Sequence, residues 1–233
     1  MTSISNEDFI KFLENYENPK YYDTIEQISW PKDKYGQNIP GRDPLIPNQF
    51  RMLSLDDMCK DSSKFDTNNL PSTTDAIWYN LKENGTLVLY FIEFKWHNLN
   101  KKNFNKSSVD ADVSFKLRLK PFESLFIVLP KLFEEYCEKN DMDFTDLNDF
   151  LKTCEIKVYS FVSTFYRGDG GVSSKRNKYK ERLKNNRDVG PRGSIGNTIH
   201  KQYKRLELTP LIEFADVFPK SCFDDFLKIE GLN

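Results

Sequence analysis

Residues 73–96 read TTDAIWYNLKENGTLVLYFIEFKW. Two runs of β-branched, aromatic and leucine residues flank Glu83-Asn84-Gly85, the pattern of a β-hairpin closed by a short turn. Loop length then decides which residues meet. A two-residue Asn84-Gly85 turn would set Asp75 opposite Phe94, on the wrong face for a joint site. A three-residue loop, type I at Glu83-Asn84 with a left-handed Gly85, pairs Lys82 with Thr86 and sets Asp75 opposite Glu93. We expect the three-residue loop.

Side chains alternate along a strand, so this register collects Asp75, Ile77, Tyr79 and Leu81 on one face with Leu87, Leu89, Phe91, Glu93 and Lys95. Ala76, Trp78, Val88, Tyr90, Ile92, Phe94 and Trp96 line the other. Both faces are apolar along most of their length, which predicts a sheet covered on both sides. Three charged groups at one end of such a sheet are costly without a partner. A hard divalent cation suits two carboxylates. Magnesium takes oxygen ligands and keeps several waters, so Asp75 and Glu93, with the Phe94 carbonyl as a third, are candidate anchors. Lys95, on the same face, is placed to orient water or to stabilise developing negative charge. The bland alternative is an exposed Glu93–Lys95 ion pair and an Asp75 strand cap, worth at most about 1 kcal/mol.

The tripeptide Glu-x-Lys alone carries no information, since it occurs twice, about as often as composition predicts. The second copy, Glu155-Ile156-Lys157, also reads as strand. Its upstream acids, Asp143, Asp146 and Asp149, fall in a helical pattern, so no hairpin brings an aspartate to it.

An aspartate opening one strand, followed by Glu-x-Lys on the next with helices on either side, resembles the PD-(D/E)XK nuclease superfamily. The likeness lies in the core motif and in element order over about residues 5 to 166, without pointing to a subfamily. Thr74 stands where the nominal proline would be, the loosest position of that pattern. The resemblance implies an α/β (α+β) fold, with a central mixed sheet flanked by helices in a restriction-endonuclease-like core. It implies a catalytic set of Asp75, Glu93 and Lys95, a Mg2+ or Mn2+ cofactor, and endonucleolytic hydrolysis of DNA. In this superfamily a carboxylate of the first helix sometimes completes the site, and Glu7 and Glu14 are the candidates. A non-catalytic nucleic-acid-binding or protein-interaction module on the same scaffold is the alternative.

The remaining chain fits this outline. Its 233 residues suffice for one domain with a sizeable core, and 19 Phe and 11 Tyr can fill it. Cys59, Cys137, Cys154 and Cys222 form no CxxC pair and read as free thiols in a reduced compartment. The amino terminus lacks a hydrophobic signal core, and no apolar run approaches the ~20 residues of a membrane span. These features predict a soluble, cytoplasmic protein without a membrane partner.

Ser5-Asn6-Glu7-Asp8 predicts a capping box, followed by a helix carrying Phe9, Phe12, Leu13 and Tyr16. Residues 19–50 read as a proline-rich loop, residues 56–58 as the start of a short helical turn, and residues 60–74 as polar loop. Phe122, Leu125, Phe126, Leu129, Leu132, Phe133 and Tyr136 predict one helical stripe, with a kink or break at Pro130. A short helix over about 144–152, a strand over about 155–166, and a terminal helix capped at Ser221 complete the reading.

Net charge is −1, but residues 167–205 carry 12 basic and 3 acidic groups. We divide the chain into a core (1–166), this basic segment (167–205) and a C-terminal element that packs on the core (206–233). Lys175, Arg176, Lys178 and Lys180, with Lys101, Lys102 and Lys106 after the Glu-x-Lys strand, are candidate contacts to a nucleic-acid backbone. Tyr179 and Tyr203 are available for stacking. A solvated charged loop is the equal alternative. His97 reads as a surface residue rather than a phosphate contact. A homodimer is left open by the sequence.

Overall fold

At the hairpin tip the Lys82 N–H donates to the Thr86 carbonyl (3.0 Å) and the Gly85 N–H to the Lys82 carbonyl (2.9 Å). Gly85 has φ of 80°, the left-handed conformation that the three-residue loop requires and that glycine adopts without strain. The flanking strands β3 (Ala76–Leu81) and β4 (Leu87–Leu99) consequently pair from Leu81↔Leu87 to Ala76↔Ile92, the register expected from the loop.

The computed structural model of the chain describes residues 3–32, 37–99, 119–143, 146–165 and 211–232. Their strands form one six-stranded mixed sheet in the order β1-β2-β3-β4-β5-β6. The others are β1 (Tyr22–Thr24), β2 (Arg51–Ser54), β5 (Glu155–Phe165) and β6 (Ile212–Pro219). β1 to β4 run antiparallel in succession, whereas β5 and β6 add in parallel. Parallel neighbours need a crossover, and the long helix between β4 and β5 supplies it.

Helices cover both faces, giving the α/β architecture. On one side α1 (Asn6–Glu14), α3 (Leu55–Asp61), α4 (Leu129–Lys139) and α5 (Leu147–Leu151) bury Phe9, Phe12, Met58, Leu132, Phe133 and Leu151 against Ile77, Leu89, Phe91 and Val158. On the other, α2 (Ile25–Ile28) and the terminal α6 (Phe223–Glu230) pack Ile25, Phe223 and Phe226 against Val88, Tyr90, Phe94 and Tyr159. The capping box forms: Ser5 Oγ accepts from Asp8 N–H (3.1 Å) while Asp8 accepts from Ser5 N–H (3.1 Å). Asn6 then ties the start of α1 to the hairpin tip through the Gly85 carbonyl (2.8 Å). All four cysteines are free thiols, and Cys59, Cys137 and Cys222 are buried.

Three expectations need correction. The passage 19–50 is not loop alone, for it contains β1 and α2. A three-residue edge strand is too short for alternation to register in sequence. The irregularity expected at Pro130 takes the form of a π-helical turn: helix over 119–123 runs into Ser124–Val128 and on into α4, whose first turn holds Pro130. The Leu129 N–H reaches back to the Ser124 carbonyl, and the wide turn lets the chain pass the residue that lacks an N–H. That turn also shifts the helical phase, so Val128 enters the core while Phe122 remains 44% exposed, off the stripe assigned to it. Finally, Ser221 does not cap α6. It lies in a 3-10 turn, Lys220–Cys222, and Cys222 occupies the cap position without capping the helix through its side chain.

Candidate active site

Asp75 immediately precedes β3 and is anchored at both ends. Its carbonyl accepts from Leu55 N–H (3.2 Å), and its Oδ2 accepts from Phe94 N–H (2.5 Å). The second bond leans the carboxylate across the strand pair toward Glu93. Glu93 sits on β4 with no exposed surface, and Lys95, two residues on, pairs with Glu93 Oε1. An irregularity in the β4–β5 pairing follows between Lys95 and Asn98, and His97 falls within it. Bulges of this kind are common beside functional sites.

A second lysine enters from the helix side. Lys120 Nζ lies 3.5 Å from Asp75 Oδ1, 3.0 Å from Glu93 Oε1 and 3.1 Å from Glu93 Oε2, so one ammonium spans both carboxylates. Burial works against the Lys120 charge, but the field of Asp75, Glu93 and Asp56 outweighs it and raises the Lys120 pKa above its ordinary value. Asp56, in the first turn of α3, lies within the electrostatic reach of the pair. Burial, then the negative field of Asp75 and Glu93, pushes its carboxyl up to about 7 against the opposing pull of Lys120. Thr73 Oγ1 donates a hydrogen bond to Asp56 Oδ1.

Residues 72–74 dock onto the π turn. Ser72 N–H donates to Glu123 Oε2 (2.5 Å), and Thr74 N–H to Ser124 Oγ (2.8 Å). The departure from the nominal proline therefore has a physical reason: this position uses an N–H that proline lacks. The same docking carries Lys120, one helical turn before Ser124, to the carboxylates.

Asp75, Glu93 and Lys95 are thus brought together on one face. Of Phe94, the structure shows an N–H directed at Asp75. The first-helix carboxylates do not approach. Glu7 pairs with Lys11 (2.8 Å) on the helix that begins at the hairpin tip, the far end from Asp75, and Glu14 lies with Glu17 in the field of the Tyr79 hydroxyl. Glu155 and Lys157 of the second tripeptide pair with each other (3.3 Å), Glu155 also with Lys82, and Lys157 with Glu230 (2.7 Å). Glu230 in turn accepts from Tyr90 (3.0 Å) and Tyr159 (2.6 Å), which makes this network an anchor for α6. Lys101, Lys102, Lys106, Lys175, Arg176, Lys178, Lys180, Tyr179, Tyr203 and the whole segment 167–205 lie outside the described residues.

Sequence reasoning missed Lys120, Asp56 and Ser160. The signal for Asp56 was an Asp-Asp pair at a helix start, which reads as ordinary capping chemistry. Ser160 pairs in register with Glu93 from the neighbouring strand, is wholly buried, and its Oγ has no hydrogen-bond partner among the described residues. An unpartnered buried hydroxyl is destabilising by about 1–3 kcal/mol. Ser160→Ala is therefore expected to raise the melting temperature or leave it unchanged, as thermal unfolding will show. A clear loss of stability would mean that the hydroxyl is bonded in solution.

Among the described residues, no three Asp, Glu, His or Cys side chains are grouped so as to hold a metal ion. The chemistry of the pair at the sheet end nonetheless suits a hard cation, since two carboxylates already share one positive charge. No helix among the described residues is long and apolar enough to cross a membrane. No family model, curated protein or solved structure matches the chain. The fold and site themselves therefore define the class: a mixed α/β sheet with a buried, cation-bridged pair of carboxylates at one end of its central hairpin.

Proposed function

We propose that the chain is a magnesium-dependent endonuclease that hydrolyses DNA phosphodiester bonds on a restriction-endonuclease-like core. The observation that carries this reading is the bridging of Asp75 and Glu93 by a single cation, with Lys95 on the same carboxylate. Element order supports it: first helix, antiparallel strands ending in the hairpin, crossover helix, then a parallel strand. Asp75 and Glu93 would hold Mg2+ or Mn2+, with Asp56 near enough to feel their charge. Bound there, the ion would lower the pKa of a coordinated water and withdraw charge from the phosphate. Lys95, held at the site's edge by Glu93, orients the attacking water or neutralises charge that develops on the phosphoryl oxygens. The full burial of Glu93 lowers the local dielectric and strengthens both effects.

One observation favours the non-catalytic alternative. Lys95 and Lys120 together already balance Asp75 and Glu93, so the group is electrically satisfied without a metal. The test is plasmid and single-stranded DNA cleavage in Mg2+ or Mn2+ with Lys95→Ala alongside. An endonuclease nicks or linearises plasmid in a divalent-dependent manner, and the variant loses about a hundredfold or more, the scale of removing one transition-state charge contact. Equal activity in Lys95→Ala, or none in the wild type, removes the assignment.

A further inference from the structure

We infer that Lys120 is a built-in competitor for the cation position: its ammonium holds the place between Asp75 and Glu93, and a divalent ion enters only as this lysine withdraws. The inference rests on the metal-site reading above and deepens it. Ion pairs of exposed lysines are interchangeable with water, but this one is not. Lys120 is mostly covered, contacts both oxygens of a fully buried glutamate, and reaches Asp75 as well. Burying an ammonium is unfavourable unless the surrounding charges compensate, and Asp75, Glu93 and Asp56 do so here.

Two further observations point to a ligand rather than to a finished ion-pair cluster. Among the described residues, Glu93 Oε1 has charge partners but no well-directed hydrogen bond, and Ser160 Oγ, in register on the next strand, has no partner. A self-contained structural cluster of buried polar groups normally satisfies all its members. An incoming ion with its waters offers donors to both oxygens. Lys120 is also well mounted to move, for it lies one turn before the π-helical segment, an irregularity that often marks functional positions in helices.

The experiment uses Mn2+ as probe, its binding followed by water-proton relaxation in the wild type, Lys120→Met and Lys120→Arg. If the ammonium occupies the position in most molecules, apparent affinity is reduced by the fraction in which it is withdrawn. Lys120→Met should then bind Mn2+ about tenfold more tightly or better, whereas Lys120→Arg, which keeps the charge, stays within about threefold of the wild type. A second measurement needs no variant. In the wild type, reductive methylation of Lys120, read by peptide mass, should rise on Mn2+ addition while that of exposed Lys131 stays constant. Equal Mn2+ affinity in all three proteins, or Lys120 methylation that ignores saturating Mn2+, overturns the competition and leaves the metal site standing. Absence of Mn2+ binding in every protein overturns both.

Discussion

Asp75→Asn is expected to fold, to keep its backbone contacts, and to lose Mg2+-dependent cleavage by about a hundredfold to a thousandfold, the effect of several kcal/mol of lost charge stabilisation. Asparagine retains an oxygen that can accept from Phe94 N–H, so the local geometry of the hairpin mouth survives. It removes the charge that pairs with Lys120 at 3.5 Å and that would help hold a divalent ion. Without metal the opposing effects nearly cancel. The variant loses one ion pair, but Asp75 is also a source of the repulsion that raises the Asp56 carboxyl to about 7. Folding stability should therefore change by no more than about 1 kcal/mol. The sign at Asp56 follows directly. Its raised value means that charging it in the folded state is unfavourable, so this group's destabilising effect grows as pH rises from its unfolded value toward about 7. Asp75→Asn should lower the Asp56 pKa and flatten stability over that range. Thermal unfolding from pH 4 to 8 (about the span concerned), with and without Mg2+, measures both effects, and cleavage of plasmid and single-stranded DNA completes the comparison. A wild type with neither Mg2+ stabilisation nor cleavage is the result expected of the non-catalytic module.

The second large effect concerns the position where a proline would make the motif conventional. Thr74→Pro is expected to lower stability by about 3 kcal/mol or more. It removes both contacts of Thr74 to the buried Ser124 Oγ, the N–H donor at 2.8 Å and the hydroxyl at 3.3 Å. For a chain of this length that corresponds to a fall in melting temperature of about 6–12 °C. Thr74→Val keeps the N–H and should lose no more than about 1 kcal/mol. The pair of melts separates backbone from side chain. A proline variant that melts with the wild type would mean that the docking of residues 72–74 on the π turn contributes nothing. Because the same docking delivers Lys120, the proline variant should also show faster methylation of that lysine.

The hairpin and its register were legible in the sequence because they are local. Glu83-Asn84-Gly85 permits few closures, the left-handed glycine selects one, and period-two alternation then propagates that choice to Asp75 and Glu93. Alternation on two apolar faces likewise implied helices on both sides, as found. What lies beyond the hairpin's mouth was decided only by tertiary structure. Lys120 meets Asp75 across 45 residues of chain and Glu93 across 27, and nothing in Leu119-Lys120-Pro121 distinguishes a buried bridging lysine from a solvated one. Asp56 is raised by burial and by neighbours on other elements, and Ser160 Oγ is buried without a hydrogen-bond partner among the described residues. The short strands β1 and β2 exist because β3 offers β2 a partner and β2 offers one to β1, and the π turn exists where Pro130 and the docking of Thr74 coincide. Turn geometry and side-chain period are properties of a few adjacent residues, so sequence carries them. The balance of charge inside a buried site is a sum over elements distant in the chain, so only the folded arrangement sets it.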